Sequence, residues 1–141
     1  MTAPTKATRQ DMYERDLDRC AACGRTDRLT HQHRRAVGMG GSKTPPSITD
    51  SLTLCFECNW RAEHDLQTFA LIYGWKVRRW VQDPSAVPVF YAHSIGWARL
   101  TDGGAALPIH ADEAAEMMRE VYGEEWDEWR EQVGAVAPVR R

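Results

Sequence analysis

The sequence predicts a small α+β domain, built on a strand, a loop, a second strand and a helix, and closed at its base by a metal staple. Three observations predict it. Two Cys-x-x-Cys pairs, Cys20/Cys23 and Cys55/Cys58, stand thirty-one residues apart. Between them, Arg28–His33 and Ser51–Leu54 alternate as short strands around a glycine-rich stretch, Gly38–Ser42. At 141 residues and 16.1 kDa the chain fits one domain, small enough for a metal to add materially to its stability.

Residues 1–19 read as a frayed tail followed by a short helix over about 8–19, with Thr8 and Asp11 as N-cap and box partner. Met12, Tyr13 and Leu17 are its docking residues, leaving Arg9, Arg15 and Arg19 towards solvent or phosphate. The core unit spans residues 20–75. In Cys20-Ala-Ala-Cys23-Gly24 the two-residue spacing lets both sulfurs reach one ion, and Gly24 supplies the positive φ that such a turn requires. With Cys55 and Cys58 this makes a four-thiolate set suited to a structural Zn²⁺. The first sixteen residues hold no apolar leader core, and no run reaches the roughly 18 apolar residues of a membrane span. A soluble, cytoplasmic protein is therefore expected, in which metal binding is favoured over disulfides or an iron–sulfur centre.

After the second pair, Asn59 to about Tyr73 reads as a helix with Trp60, Leu66, Phe69, Ala70 and Tyr73 on its apolar stripe, ended by Gly74. Residues 76–133 form an extension packed on the core: strands at Val87–Tyr91 and Trp97–Leu100 joined as a small hairpin, a turn at Thr101–Gly104, and a helix from Asp112, its N-cap, to about Val133. The tryptophans at 75, 80 and 97 are expected in the core. Residues 134–141 read as a disordered tail.

Net charge is −2, but it is unevenly spread. Residues 1–80 carry 13 Lys and Arg against 9 Asp and Glu, whereas residues 81–141 carry 5 against 11. A basic half opposite an acidic half is compatible with a DNA-facing surface, or simply with two differently solvated faces. His31, His33 and His64 fall in the core unit; His93 and His110 lie outside it and carry no assigned role.

The cysteine pairs, the stretch THQHRRAVGMGGS at 30–42 and the later GWKVRRWVQDPSAVPVFYAHSIGWARLTDGG at 74–104 together resemble the HNH, or ββα-metal (His-Me finger), endonucleases of the zinc-knuckle type, in particular the small HNH endonucleases of actinobacterial bacteriophages. The resemblance covers residues 17–104 and implies a divalent-metal-dependent DNA endonuclease with a zinc-stabilised ββα core. Phosphodiester hydrolysis needs a deprotonated water in line with the leaving oxygen and positive charge on the phosphate. The resemblance makes His33, at the end of the first strand, the general base.

Asp50, five residues before the third cysteine, takes the place of the family's middle asparagine, which fixes the loop or orients the base. Gln32 stands where a His or Asp usually ligates the catalytic Mg²⁺ or other divalent cation, and Asn59 stands where the last histidine would be. Glu63 shares a helical face with Asn59, while His64, rotated by about another 100°, is the better chemical ligand; both choices stay open. His31 alternates away from Gln32 and either caps the knuckle or faces water. Arg34 and Arg35, with Lys43 and Arg61, are expected to meet the DNA backbone.

The competing class is a zinc-stabilised module, weakened at Gln32, Asp50 and Asn59, that binds DNA or, as the phage resemblance implies, packaging proteins; RNA is a third target to test. Oligomeric state is open.

Overall fold

The computed structural model describes residues 2–36 and 44–134. The expected glycine loop at 38–42, Lys43 and the tail from 135 onward lie outside the described residues. The chain folds as a mixed α+β domain with four cysteines gathered at one place. Among the described residues no helix is long and apolar enough to cross a membrane.

Helix α1 runs Lys6–Arg15, two residues earlier than expected, because the cap is Thr5, whose hydroxyl accepts from Thr8 N–H at 3.1 Å. It stops where Leu17 and Asp18 take positive φ, so Leu17 turns outward at 54 % exposure and Met12 alone is fully buried from this helix. Arg15 is not at the surface either. Its guanidinium forks onto the buried Asp16 carboxylate at 2.7 and 3.0 Å and also donates to the carbonyls of Ile48 and Ser51. Asp16 in turn accepts from the Tyr91 hydroxyl at 2.6 Å and Thr53 N–H at 2.9 Å. Fully satisfied buried charge of this kind fixes α1 against two separate strands.

Strands β1 (Leu29–His33) and β2 (Ser51–Cys55) pair antiparallel, with Leu29 opposite Cys55 and His33 opposite Ser51. The helix expected over 59–73 is two: α2 (Phe56–Ala62) and α3 (Gln67–Ile72). Cys55 caps α2, its sulfur accepting from Cys58 N–H, so the helix begins at the cysteine pair rather than after it. The break lets α3 lie between two core clusters: Ala62 and Ala70 join the cluster that holds Cys20, Leu52 and Leu54, while Leu71 and Ile72 join that of Val77, Val87 and Met118. Gly74 follows with φ 74°, and a Cβ there would run into the Pro88 carbonyl.

Strands β3 (Val89–Tyr91), β4 (Gly96–Leu100) and β5 (Ala106–Pro108) form an antiparallel meander in that order. The third strand is absent from the sequence reading because it is three residues long and ends in a proline, tolerated only at an edge. The expected terminal helix is also divided, into α4 (Ala111–Tyr122) and α5 (Glu124–Gln132), at Gly123 with φ 64°. His110, not Asp112, precedes its first turn, and Asp112 lies inside it. Trp126 and Trp129 are buried, the Trp126 indole donating to the Ile72 carbonyl at 3.1 Å.

Candidate functional site

The four cysteines converge because β2 runs directly into α2, carrying Cys55 and Cys58, while the 20–25 turn lies against β2 through Ala21 N–H to Thr53 C=O at 3.0 Å. Gly24, with φ 80°, closes that turn by donating to the Cys20 carbonyl at 2.9 Å. The four sulfurs lie within 4.8 Å of one another, Cys23 and Cys55 at 3.9 Å, and none is in a disulfide. Metal–sulfur bonds of about 2.3 Å in a tetrahedron separate sulfurs by about 3.8 Å, so the donor set fits zinc. A hydrogen bond from Cys58 holds the Cys20 thiol down at about 5, whereas burial pushes Cys23 up to about 11, and giving that hydrogen bond raises Cys58. Without metal the sulfurs share protons; a cation would take their place. Among the described residues this is the only group of three or more His, Cys, Asp or Glu arranged to hold an ion.

Along β1 the side chains alternate. Thr30 and Gln32 turn to the α2 side, and His31 and His33 share the other face, their ring centroids 4.6 Å apart and edge-on. His33 is half-buried at the strand end, its Nε2 3.1 Å from the Thr2 carbonyl, so the segment expected to be frayed touches the candidate base. His31 Nε2 meets the Ser51 hydroxyl at 2.7 Å, and its Nδ1 is buried without a partner. Burial first, then the neighbouring His33, lowers the His31 pKa to about 4.

A group that is harder to protonate folded than unfolded contributes stability that is full above its unfolded pKa of about 6.5 and is lost as pH falls towards 4. The melting-temperature advantage of wild type over His31→Gln is therefore expected to shrink between pH 7 and pH 4.5. An advantage that does not change with pH would refute this.

The other candidates separate. Gln32 is 3 % exposed, and its amide donates to the Trp75 carbonyl at 3.4 Å. Asn59, on the first turn of α2 beyond the cysteines, folds back onto β1 and donates to the Thr30 hydroxyl at 2.9 Å and the His31 carbonyl at 3.4 Å. Glu63 pairs with Lys76 at 2.5 Å, a partner that sequence reasoning missed because it comes from beyond Gly74. His64 stacks on Trp60 with centroids 4.0 Å apart, its Nδ1 2.7 Å from the Trp60 carbonyl. Asn59, Glu63 and His64 nevertheless line one shallow pocket of about 280 Å³, with Phe56 and Trp60; Gln32 and His33 do not line it. Asp50 is engaged by Arg35: its carboxylate accepts Arg35 N–H at 3.0 Å and lies 3.2 Å from the Arg35 guanidinium.

The expected DNA-contacting arginines also divide. Arg35 is partly exposed but also donates to the Val81 and Gln82 carbonyls, and Arg61 is exposed and paired with Asp65 at 2.9 Å. Arg34 requires correction: it is 0 % exposed and cannot meet a phosphate. It follows Gln32 on the inward face, and its guanidinium donates to the carbonyls of Gly74, Thr49, Pro84 and Val87 at 2.8–3.0 Å. Burial lowers its pKa to about 10, which still leaves it charged at neutral pH. Five donors on a rigid fork make arginine able to tie three chain segments at once, through four carbonyls. Arg34→Met, similar in length but donating nothing, is expected to cost about 3–5 kcal/mol in urea unfolding, because the carbonyls lose their partners inside the core. A cost below about 1 kcal/mol would mean that water replaces the guanidinium. Compared with known proteins, the chain matches no protein-family model, no curated protein and no solved structure.

Proposed function

We propose that the chain is a DNA endonuclease whose cysteine tetrad holds a structural zinc and whose general base is His33. The observation that carries this reading is a single clamp: the four sulfurs fix the turn beside β2, the end of β2 and the first turn of α2 together, with His33 at the free end of β1 and Asn59 turned back onto that strand. Zinc in such a site is closed to substrate and serves the fold. His33 is half-buried, and its ring is held at Nε2 by a backbone carbonyl. With the Nε2 proton given to Thr2, Nδ1 carries the lone pair that takes a proton from an attacking water.

The divalent cation implied by the resemblance supplies positive charge at the scissile phosphate when bound. Of the expected donors, Asn59, Glu63 and His64 share one pocket on the α2 side, whereas His33 shares the other face of β1 with His31 and does not line that pocket, so a cation held by these three does not sit beside the base. Glu63 there must exchange its bond to Lys76. Gln32, in the core, is not among them.

A specific observation favours the second reading, a zinc-stabilised module that binds DNA or packaging proteins without cutting: Asn59, Glu63 and His64 are each already engaged by protein groups. Plasmid nicking by zinc-loaded protein separates the two. Reactions with added Mg²⁺, Mn²⁺ or neither, alongside matched RNA, are expected to give metal-dependent nicking of DNA. No nicking with any ion at full zinc occupancy would leave the binding module.

A further inference from the structure

We propose that the groove between α2, α3 and residues 75–80 takes a single-stranded stretch of nucleic acid, its phosphates on Arg78 and Arg79 and its bases against Trp80 and Trp60. This rests on the nuclease reading for the class of polymer and adds which form of it the protein engages.

The most exposed aromatic side chains gather in this part of the molecule. Among the described residues the exposed large apolar side chains are Leu17, Phe56, Trp60, Trp80, Ile95 and Leu107. All three aromatic ones line two pockets, of about 530 and 280 Å³, that meet at Glu63, and none of the aliphatic ones does. Trp80 is 60 % exposed and Trp60 55 %, against the expectation that the 75–80 tryptophans serve the core. Neither ring is loose. Trp60 lies face to face with His64, and Trp80 is braced edge-on by Tyr122 at 5.6 Å.

Charge identifies the occupant. The larger pocket presents Arg78 and Arg79, and Glu63, the one carboxylate on either pocket, is already bound to the buried Lys76, so the two arginines set its charge. A cationic groove on a chain of net charge −2 complements a polyanion. Aromatic faces then discriminate between forms of that polyanion. Bases within a duplex are stacked on one another and offer no face, whereas unpaired bases stack on indoles with little sequence preference.

The test uses the zinc-loaded full chain carrying His33→Ala, so that substrate survives, and fluorescent oligonucleotides of about 15 nucleotides read by anisotropy. Single-stranded DNA is expected to bind at least about tenfold more tightly than the same sequence as a duplex. Trp80→Ala is expected to weaken the single strand by about tenfold and the duplex hardly at all. Arg79→Ala should reduce the salt slope for the single strand by about 0.7, the share of one phosphate. Tighter binding of matched single-stranded RNA would keep the groove and change its polymer. Equal affinity for single strand and duplex, or an unchanged affinity in a folded Trp80→Ala variant, would overturn the proposal and leave the aromatics to a protein partner. Failure of the nuclease reading is seen separately, as an uncut plasmid with Trp80-dependent binding intact.

Discussion

His33→Ala is expected to lower metal-dependent plasmid nicking by about 10²–10⁴-fold while zinc content, melting temperature and DNA affinity stay within error of wild type. The size follows from what the imidazole would do: without a positioned base the attacking water must lose its proton to solvent. The selectivity follows from where the residue lies. His33 ends β1, is half-buried, and its contacts are one carbonyl bond to Thr2 and an edge contact with His31. Removing it opens no sealed core and orphans one carbonyl near solvent, a loss of about 1 kcal/mol at most. A large activity loss with no stability loss is therefore the signature of a base. Unchanged nicking, or a variant that loses fold together with activity, would assign His33 a structural role and give weight to the binding module.

Much of the architecture is legible in the sequence for a physical reason. Cysteine spacing, strand alternation and a glycine in a tight turn are local signals, and Cys20 to Cys23, β1, β2 and Gly24 follow from them. What sequence conceals is which side of an element becomes the inside. Arg34 beside Arg35 reads as a basic pair for phosphate, yet alternation turns one inward, where only four carbonyls from three distant segments make burial tolerable. Those carbonyls belong to residues 49–87 and leave no mark near position 34. Likewise nothing near Asp50 in the sequence marks Arg35 as the group that its carboxylate engages. Helix breaks were hidden for another reason. Neither proline nor glycine divides α2 from α3; the division answers to two separate core clusters, a property of the packed chain. Trp80 could not be sorted from Trp75 by composition, since both sit in one apolar and basic run and only one fits under the meander.

Cys55→Ser is expected to abolish stoichiometric zinc and, with it, the cooperative melt of the domain. Cys55 is 1 % exposed at the junction of β2 and α2, belongs to the same core cluster as Cys20, and its sulfur receives the Cys58 N–H at 3.4 Å. Structural zinc sites contribute about 10–16 kcal/mol of apparent binding energy at neutral pH, against a net stability of about 5–15 kcal/mol for a whole domain. A serine hydroxyl is a poor, mostly protonated donor, so one substitution removes a large part of that contribution. Acidification should act in the same direction. Only thiolates bind the ion, so protons compete with it, and metal-held stability is present at neutral pH and lost as pH falls.

Packing and metal loss can be told apart by Cys23→Ser, because Cys23 is exposed and takes no part in the core. If the metal is what holds the unit together, both variants lose zinc and both lose the melt. If burial is what matters, Cys23→Ser keeps its melt after its zinc is gone. Elemental analysis decides the identity of the ion, since iron in place of zinc would show there directly. A Cys55→Ser protein that melts like wild type with one zinc per chain would remove the tetrad from the fold's foundations, and with it the clamp that sets Asn59 against β1.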